Sequence, residues 1–200
     1  YLSEVARSTV GLAPGHNHFA TMHLVTLKSG PLFLVDTLIN RNLSAESLVD
    51  ISVLAAEKVR CFGLQPNIAL ISFSDFGSDD AESSCEARRA VALLHERYPD
   101  LSVDGEMQIQ TALQLAQRDA KYPQNKLKGK QVNLLVFPRL SAANACYQLL
   151  KAVGNADEVV GPIQVGLARP IYFADHDASV KDIVNITAMA SLDSNACIVG

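Results

Sequence analysis

The sequence predicts an α/β protein with a mainly parallel sheet and flanking helices. Two continuous apolar runs carry this expectation, Ile68–Phe73 (IALISF) and Val132–Phe137 (VNLLVF), because strands buried on both faces of a parallel sheet lose their alternation. Each run empties into a loop and then a helical pattern, the order of a β-loop-α unit. Right-handed crossovers place the loops starting at Ser74, Asp104 and Pro138 along one edge of the sheet, where open α/β sheets bind ligands.

Taken in order, the chain opens on the amphipathic YLSEVARSTV, and its start at Tyr1 is that of a piece of a longer protein. GLAPGHNHF is an irregular loop. His16 and His18 have the spacing of two metal ligands, but the flanking Gly and Pro, with no carboxylate or cysteine close in sequence, favour a turn. Ala20–Leu27 and the run PLFLVDT face each other across Lys28-Ser29-Gly30 and predict a hairpin; Asp36, followed by Thr37 and Asn40, then projects from a strand edge. Ser44 starts a helix that runs to about Phe62 and stops at Gly63, with Leu48, Ile51, Leu54, Ala55, Val59 and Phe62 on one face.

After Ile68–Phe73 comes the loop Ser74-Asp75-Phe76-Gly77-Ser78-Asp79-Asp80, and then a helix over Ser84–Tyr98 with His95 on its surface. Val103 begins a brief segment, followed by the acidic loop Asp104-Gly105-Glu106, a helix from Gln108 to Ala120, and an exposed linker from Lys121 to Lys130. Ser141 caps a helix through Tyr147 and Leu150 to Val153. Gly161-Pro162 opens a short strand or loop, Pro170–Phe173 is extended, and the polar loop Asp175-His176-Asp177 precedes a last helix. A charged loop at a helix N-terminus can hold an anion such as phosphate. Ser179 with Asp182 three residues on is equally a plain helix cap.

Composition bounds the function classes. Apolar residues make up 48% and charged ones 19% of the 200 residues, as in a globular chain with a full core. The formal charge of −4 and the absence of a basic stripe argue against a nucleic-acid partner. No apolar run approaches the roughly 18 residues of a membrane span, and no signal pattern opens the chain, so a cytoplasmic location is expected. Cys61, Cys85, Cys146 and Cys197 show no metal-ligand spacing and read as free thiols, with a disulfide still open from their even number.

No glycine-rich dinucleotide fingerprint, P-loop or G-x-S-x-G elbow is present, and Ser74, Ser78, Ser141 and Ser179 have no histidine at a telling spacing. What remains is a set of hydroxyl, amide and carboxylate groups at strand ends, Ser74, Gly77, Ser78 and Asp104 among them, suited to a phosphate or a pantetheine chain. Asp104 and Glu106 could act as paired carboxylates, or simply build a turn.

Six segments carry a resemblance. Ser72–Ser78 (SFSDFGS), Val103–Met107 (VDGEM), Asn133–Pro138 (NLLVFP), Ala142-Ala143-Asn144, Gly161-Pro162-Ile163 with Gly166, and Asp182–Asn185 (DIVN) are similar in order and spacing to the phosphate acetyl/butyryl transferase family. The resemblance implies an isocitrate/isopropylmalate dehydrogenase-like phosphotransacetylase fold of two lobes around a cleft, and acyl transfer between coenzyme A and phosphate. Residues 1–160 would be the second lobe, and 161–200 a C-terminal segment returning towards a first lobe that is largely absent.

FLVDTLIN (33–40), the helix ending AAEKVRCFGLQP (55–66), SDFGS and DGEM also resemble the transferase-like C-terminal region of large bacterial NADP-dependent malic enzymes. That resemblance implies a regulatory, oligomerising domain responding to acetyl-CoA, with an N-terminal domain that oxidises malate using NADP and a divalent metal. This chain would itself hold no cofactor and no metal. Where active transferases carry Ser-Arg in a D-L-S-R-G-C-S pattern, this chain has Asp175 and His176, and Lys151 stands where a second arginine is expected. An Asp-His pair is no permanently charged bidentate donor. Asp182 matches the family's candidate base for the coenzyme A thiol. Asp175, His176 and Asp182 join the strand-end residues as candidate ligand contacts, with Asp182 catalytic only if the chain is a working transferase. The apolar helix Ile183–Ala190 needs a covering surface, which predicts at least a dimer.

Overall fold

Both faces of the central strands are covered, which is why their sequences read as unbroken apolar runs. The computed structural model describes residues 2–153, 158–174 and 178–196. Six strands lie in the order β4-β3-β5-β2-β1-β6, with β1 at Ala20–Leu27, β2 at Gly30–Val35, β3 at Asn67–Ile71, β4 at Ser102–Met107, β5 at Leu134–Val136 and β6 at Glu158–Val165. β1 pairs antiparallel with β2 and β6; all other pairings are parallel, so five strands run one way. Helices α1 (Leu2–Val10), α2 (Ala45–Cys61), α3 (Glu82–Arg97), α4 (Ile109–Leu113), α5 (Leu115–Lys121), α6 (Leu140–Val153) and α7 (Val180–Ala196) complete the fold. Among the described residues no helix is long and apolar enough to cross a membrane.

Alternate residues of each strand feed two cores. Phe33, Val35, Ile68, Leu70, Leu134 and Val136 pack with α2, α3 and Met189 of α7. Leu34, Ala69, Ile71, Leu135 and Phe137 pack on the other face with Ala112, Leu127, Ala143 and Tyr147. The predicted hairpin is present, with Leu27 opposite Gly30. So is the predicted helix: Ser44 is the N-cap of α2, its side chain accepting from Ser47 N, and Gly63 follows with φ +74°.

Several local expectations are corrected. Asp104-Gly105-Glu106 is part of β4 rather than a loop, and both acidic side chains are buried and hydrogen-bonded. The helix expected over Gln108–Ala120 is broken at Gln114 into α4 and α5. The lysine-rich linker is not simply exposed: Asn125 and Leu127 are buried, and fully buried Arg118 donates to the carbonyls of Ala112, Leu127 and Lys130 at 2.8–3.0 Å. Three carbonyls and Asp119 at 3.2 Å satisfy a guanidinium that would otherwise be costly to bury. Ser141 lies inside α6, which begins at Leu140, and Pro170–Phe173 forms no strand. His95 does not simply face solvent, for its Nε2 bonds the Val103 carbonyl at 2.8 Å. Cys61, Cys85 and Cys146 are free; Cys197 lies outside the described residues.

Asp36 is buried at 1% exposure instead of projecting from an edge. Its carboxylate accepts from Thr21 N and Oγ1, from the backbone N–H of Leu38, Ile39 and Asn40, and from Asn40 Nδ2, at 2.6–3.2 Å. Removing it leaves these donors without an acceptor. Asp36→Ala is expected to destabilise the fold by about 3 kcal/mol, read as a lowered urea midpoint at unchanged slope.

Candidate functional site

At the β1–β6 side of the sheet, a cavity of about 130 Å³ is lined by His23, Tyr147, Gln148, Lys151, Gly161 and Asp182, among others. β1 supplies His23, α6 supplies Tyr147 and Lys151, and the first turn of α7 supplies Asp182. His23 is 2% exposed and lies stacked on Tyr147, with ring centroids 3.9 Å apart. Its Nδ1 is 2.8 Å from Thr37 Oγ1. Thr37 is placed by the same loop that Asp36 holds. Burial, and next the Lys151 charge, lower the His23 pKa to about 4, so the ring is neutral at physiological pH.

Asp182 completes a capping box: Oδ2 accepts from Ser179 N at 2.9 Å and Ser179 Oγ at 2.8 Å, while Asp182 N donates to Ser179 Oγ at 3.2 Å. These bonds from Ser179, then the Lys151 and Lys181 charges, hold its carboxyl below the usual range. A base with a depressed pKa accepts protons poorly at neutral pH. Asp175 and His176 lie outside the described residues.

Ser74, Gly77, Ser78 and Asp104 lie elsewhere. β3 and β6 are separated by β5, β2 and β1, roughly 19 Å at the usual strand spacing. Ser74 Oγ donates to Glu106 Oε1 at 2.6 Å, Gly77 N donates to the same oxygen at 2.9 Å, and Arg88 Nη1 approaches it at 3.3 Å. Ser78 Oγ accepts from Asp75 N at 3.0 Å, and Asp75 Oδ1 accepts from Gln108 N at 2.9 Å. These groups are turned inward, onto Glu106 and one another. Asp104 accepts from Lys126 N at 2.6 Å and its own neighbour Gly105 N at 2.9 Å, which straps the lysine-rich segment to β4. Asp104 and Glu106 therefore bond to different segments.

The ends of β3, β4 and β5 do meet at one edge, but of the three loop starts expected there, Ser74, Asp104 and Pro138, only Pro138 lines the cleft between them. Ser72 and Phe73 after β3, Gln108 and Ile109 after β4, and Pro138 and Arg139 after β5 line a largely apolar cleft of about 450 Å³. His16 and His18 do find a carboxylate, one distant in sequence. Asp50 of α2 bonds their Nδ1 atoms at 2.5 and 3.0 Å and also accepts from the backbone N–H of Asn17 and His18, which clamps the loop to the helix. No group of three or more histidine, cysteine or acidic side chains among the described residues is disposed to hold a metal ion. His23, Thr37 and Tyr147 were not legible as site residues, because positions in β1, the loop after β2 and α6 share no periodicity or spacing.

Two outcomes follow from this geometry. Because the folded His23 pKa lies below 6.5, the unfolded chain binds the proton first as pH falls; His23 therefore contributes stability that is complete above about pH 6.5 and lost as pH drops towards 4. In urea titrations across that window the wild type should lose up to about 1.4 kcal/mol per pH unit on this account, and His23→Asn should show a flatter profile. Glu106→Gln, which weakens the acceptor for Ser74, Gly77 and Arg88, should cost about 1–3 kcal/mol by the same assay.

Comparison with known proteins places this architecture. Over 190 residues, 95% of this chain, it is 40% identical to the NADP-dependent malic enzyme of Escherichia coli, matching its C-terminal portion. It is 41% identical over 155 residues to the phosphate acetyltransferase of Treponema pallidum. The chain spans 25% of the former protein's length and 46% of the latter's. Among solved structures, a phosphotransacetylase from Streptococcus pyogenes superposes with a TM-score of 0.87 at 29% identity, covering 98% of this chain and 59% of that one. The family profile for phosphate acetyl/butaryl transferase matches residues 3–191, and the chain belongs to that family.

Proposed function

We propose that this chain is a regulatory, self-associating module that senses acyl-CoA, acetyl-CoA first, within a malic enzyme that oxidatively decarboxylates malate to pyruvate with NADP. The observation that carries this reading is the charge set of the Asp182 cavity. Lys151 is the one lysine or arginine lining it among the described residues, and the position matched to the family's phosphate-holding arginine is His176. A lysine is a point charge without the guanidinium fork, and losing a transition-state donor of this kind costs about 2.7–4 kcal/mol. Similarity to malic enzymes across 95% of the chain supports the parent activity. Malate, NADP and a divalent metal would then be handled by an N-terminal malic enzyme domain. Self-association is supported by α7, which exposes Val180, Ile183, Val184 and Leu192.

A second reading, a catalytic phosphate acetyltransferase, is favoured by Asp182 at the matched base position and by the 41% identity to the Treponema enzyme. In the full-length protein carrying this chain, acetyl-CoA should bind by calorimetry and shift the rate of malate oxidation, with no phosphate-dependent release of coenzyme A. Phosphate-dependent release would establish the second reading. Absence of both binding and a kinetic response would remove the first.

A further inference from the structure

The contact between His18 and α2 is more than a clamp. His18 Nδ1 stands 3.0 Å from Asp50 Oδ2, and on the other side of the ring Nε2 stands 3.0 Å from Ser47 Oγ. Serine, histidine and carboxylate joined in that order are the constellation of nucleophile, base and orienting group, which is recognised by geometry rather than by position in the chain. Ser47 and Asp50 lie three residues apart on α2 and so share one side of the helix. The loop before β1 brings His18 across to them. Ser47 is half-buried and the His18 side chain is 31% exposed, so a small acyl group can reach Oγ.

Partner chemistry sets the direction of each proton. Burial alone would raise the Asp50 pKa, but the bonds from His16, Asn17 and His18 outweigh it and hold the carboxyl below its usual range. An ionised carboxylate only accepts, so Nδ1 carries the ring proton and Nε2 of the neutral ring is an acceptor. Ser47 Oγ also lies 2.9 Å from Ser44 Oγ, which accepts from Ser47 N at 3.3 Å. Ser44 has a proton of its own to give Ser47, whereas Nε2 has none; donation by Ser47 to Nε2 is the arrangement that satisfies all three groups. His16 Nδ1 and the N–H groups of Asn17 and His18 keep the carboxylate from turning away. One donor is left over beside the serine. The Glu46 N–H, in the first turn of α2, meets no acceptor among the described residues, and the Glu46 carboxylate is taken up by Arg97. A free N–H of this kind can stabilise an oxyanion.

We propose that Ser47, His18 and Asp50 form a second, hydrolytic site for activated esters of short acyl groups, with Ser47 as nucleophile, His18 as base and then acid, and Asp50 as a positioning residue. Ser47 Oγ bonds to the acyl carbon as its proton passes to Nε2; the ester C–O bond breaks, and the imidazolium gives that proton to the leaving alkoxide. Water then attacks the acyl-serine by the same proton route, which releases the carboxylic acid and restores Ser47. This activity is independent of the acyl-CoA reading above. The test uses the full-length protein carrying this chain, its thiols blocked with iodoacetamide, with p-nitrophenyl acetate as substrate and, separately, diisopropyl fluorophosphate as a label for activated serines. The wild type should release nitrophenolate over many turnovers, and mass spectrometry should place the phosphoryl adduct on Ser47. Ser47→Ala should abolish both, and His18→Gln should slow turnover about a hundredfold or more. Asp50→Asn, which frees the ring to take the other tautomer, should lower kcat by a similar factor with KM unchanged, a split that a merely structural clamp would not give. Labelling of the wild type needs no substitution and so does not depend on how the variants fold. A wild type with no adduct on Ser47, ester hydrolysis that survives Ser47→Ala, or an Asp50→Asn effect confined to KM would overturn the proposal.

Discussion

The buried carboxylate of Asp36 is the interaction on which the arrangement of this molecule depends. It stands just past the end of β2, the strand where the parallel part of the sheet meets the antiparallel β1. Bonds from Thr21 tie it to β1, and bonds from the N–H groups of Leu38, Ile39 and Asn40 fold the next loop into one tight turn. A carboxylate with this many donors is stable in a dry environment because nearly all its hydration is replaced. The loop so fixed carries Thr37 to His23, so the same constraint that joins the two parts of the sheet also orients the candidate site.

The polar loop after β3 follows the same physics with a different outcome. Its serines and glycine looked available to a ligand, yet the fully buried Glu106 draws Ser74, Gly77 and Arg88 onto a single oxygen. Burying an acid without such partners is expensive, so the loop bonds inward. The other oxygen, Oε2, has no partner among the described residues. At the β1–β6 side, by contrast, Lys151, Asp182 and His23 line one cavity.

Helix α7 connects that cavity to the opposite core. Its first turn brings Asp182 to the pocket, and further along Met189 packs against the α2 side of the sheet. Asp193 then bonds both Lys58 of α2 and the hydroxyl of Tyr172. Burial, and then the Asp193 carboxylate, push the Tyr172 phenol well above its ordinary pKa, so it remains a donor throughout the neutral range. Under the proposed function, the helix that helps line the ligand cavity also presents Val180, Ile183, Val184 and Leu192 for assembly.

By itself the sequence determined the elements whose signals are local: the hairpin turn at Lys28-Ser29, the α2 helix between Ser44 and Gly63, the doubly covered strands around Ile68–Ile71 and Leu134–Val136, and the capping pair Ser179 and Asp182. Family membership was legible for a related reason, since six short segments in fixed order need no coordinates. Tertiary structure decided the partner of every buried charge. Asp36 read as projecting from an edge, and Glu106 and Asp104 as candidates for chemistry, because their partners lie in other elements. It also decided the site. His23, Thr37, Tyr147 and Gly161 become neighbours only once β1 pairs with β6 and α6 packs on the sheet, a convergence that no periodicity along the chain encodes.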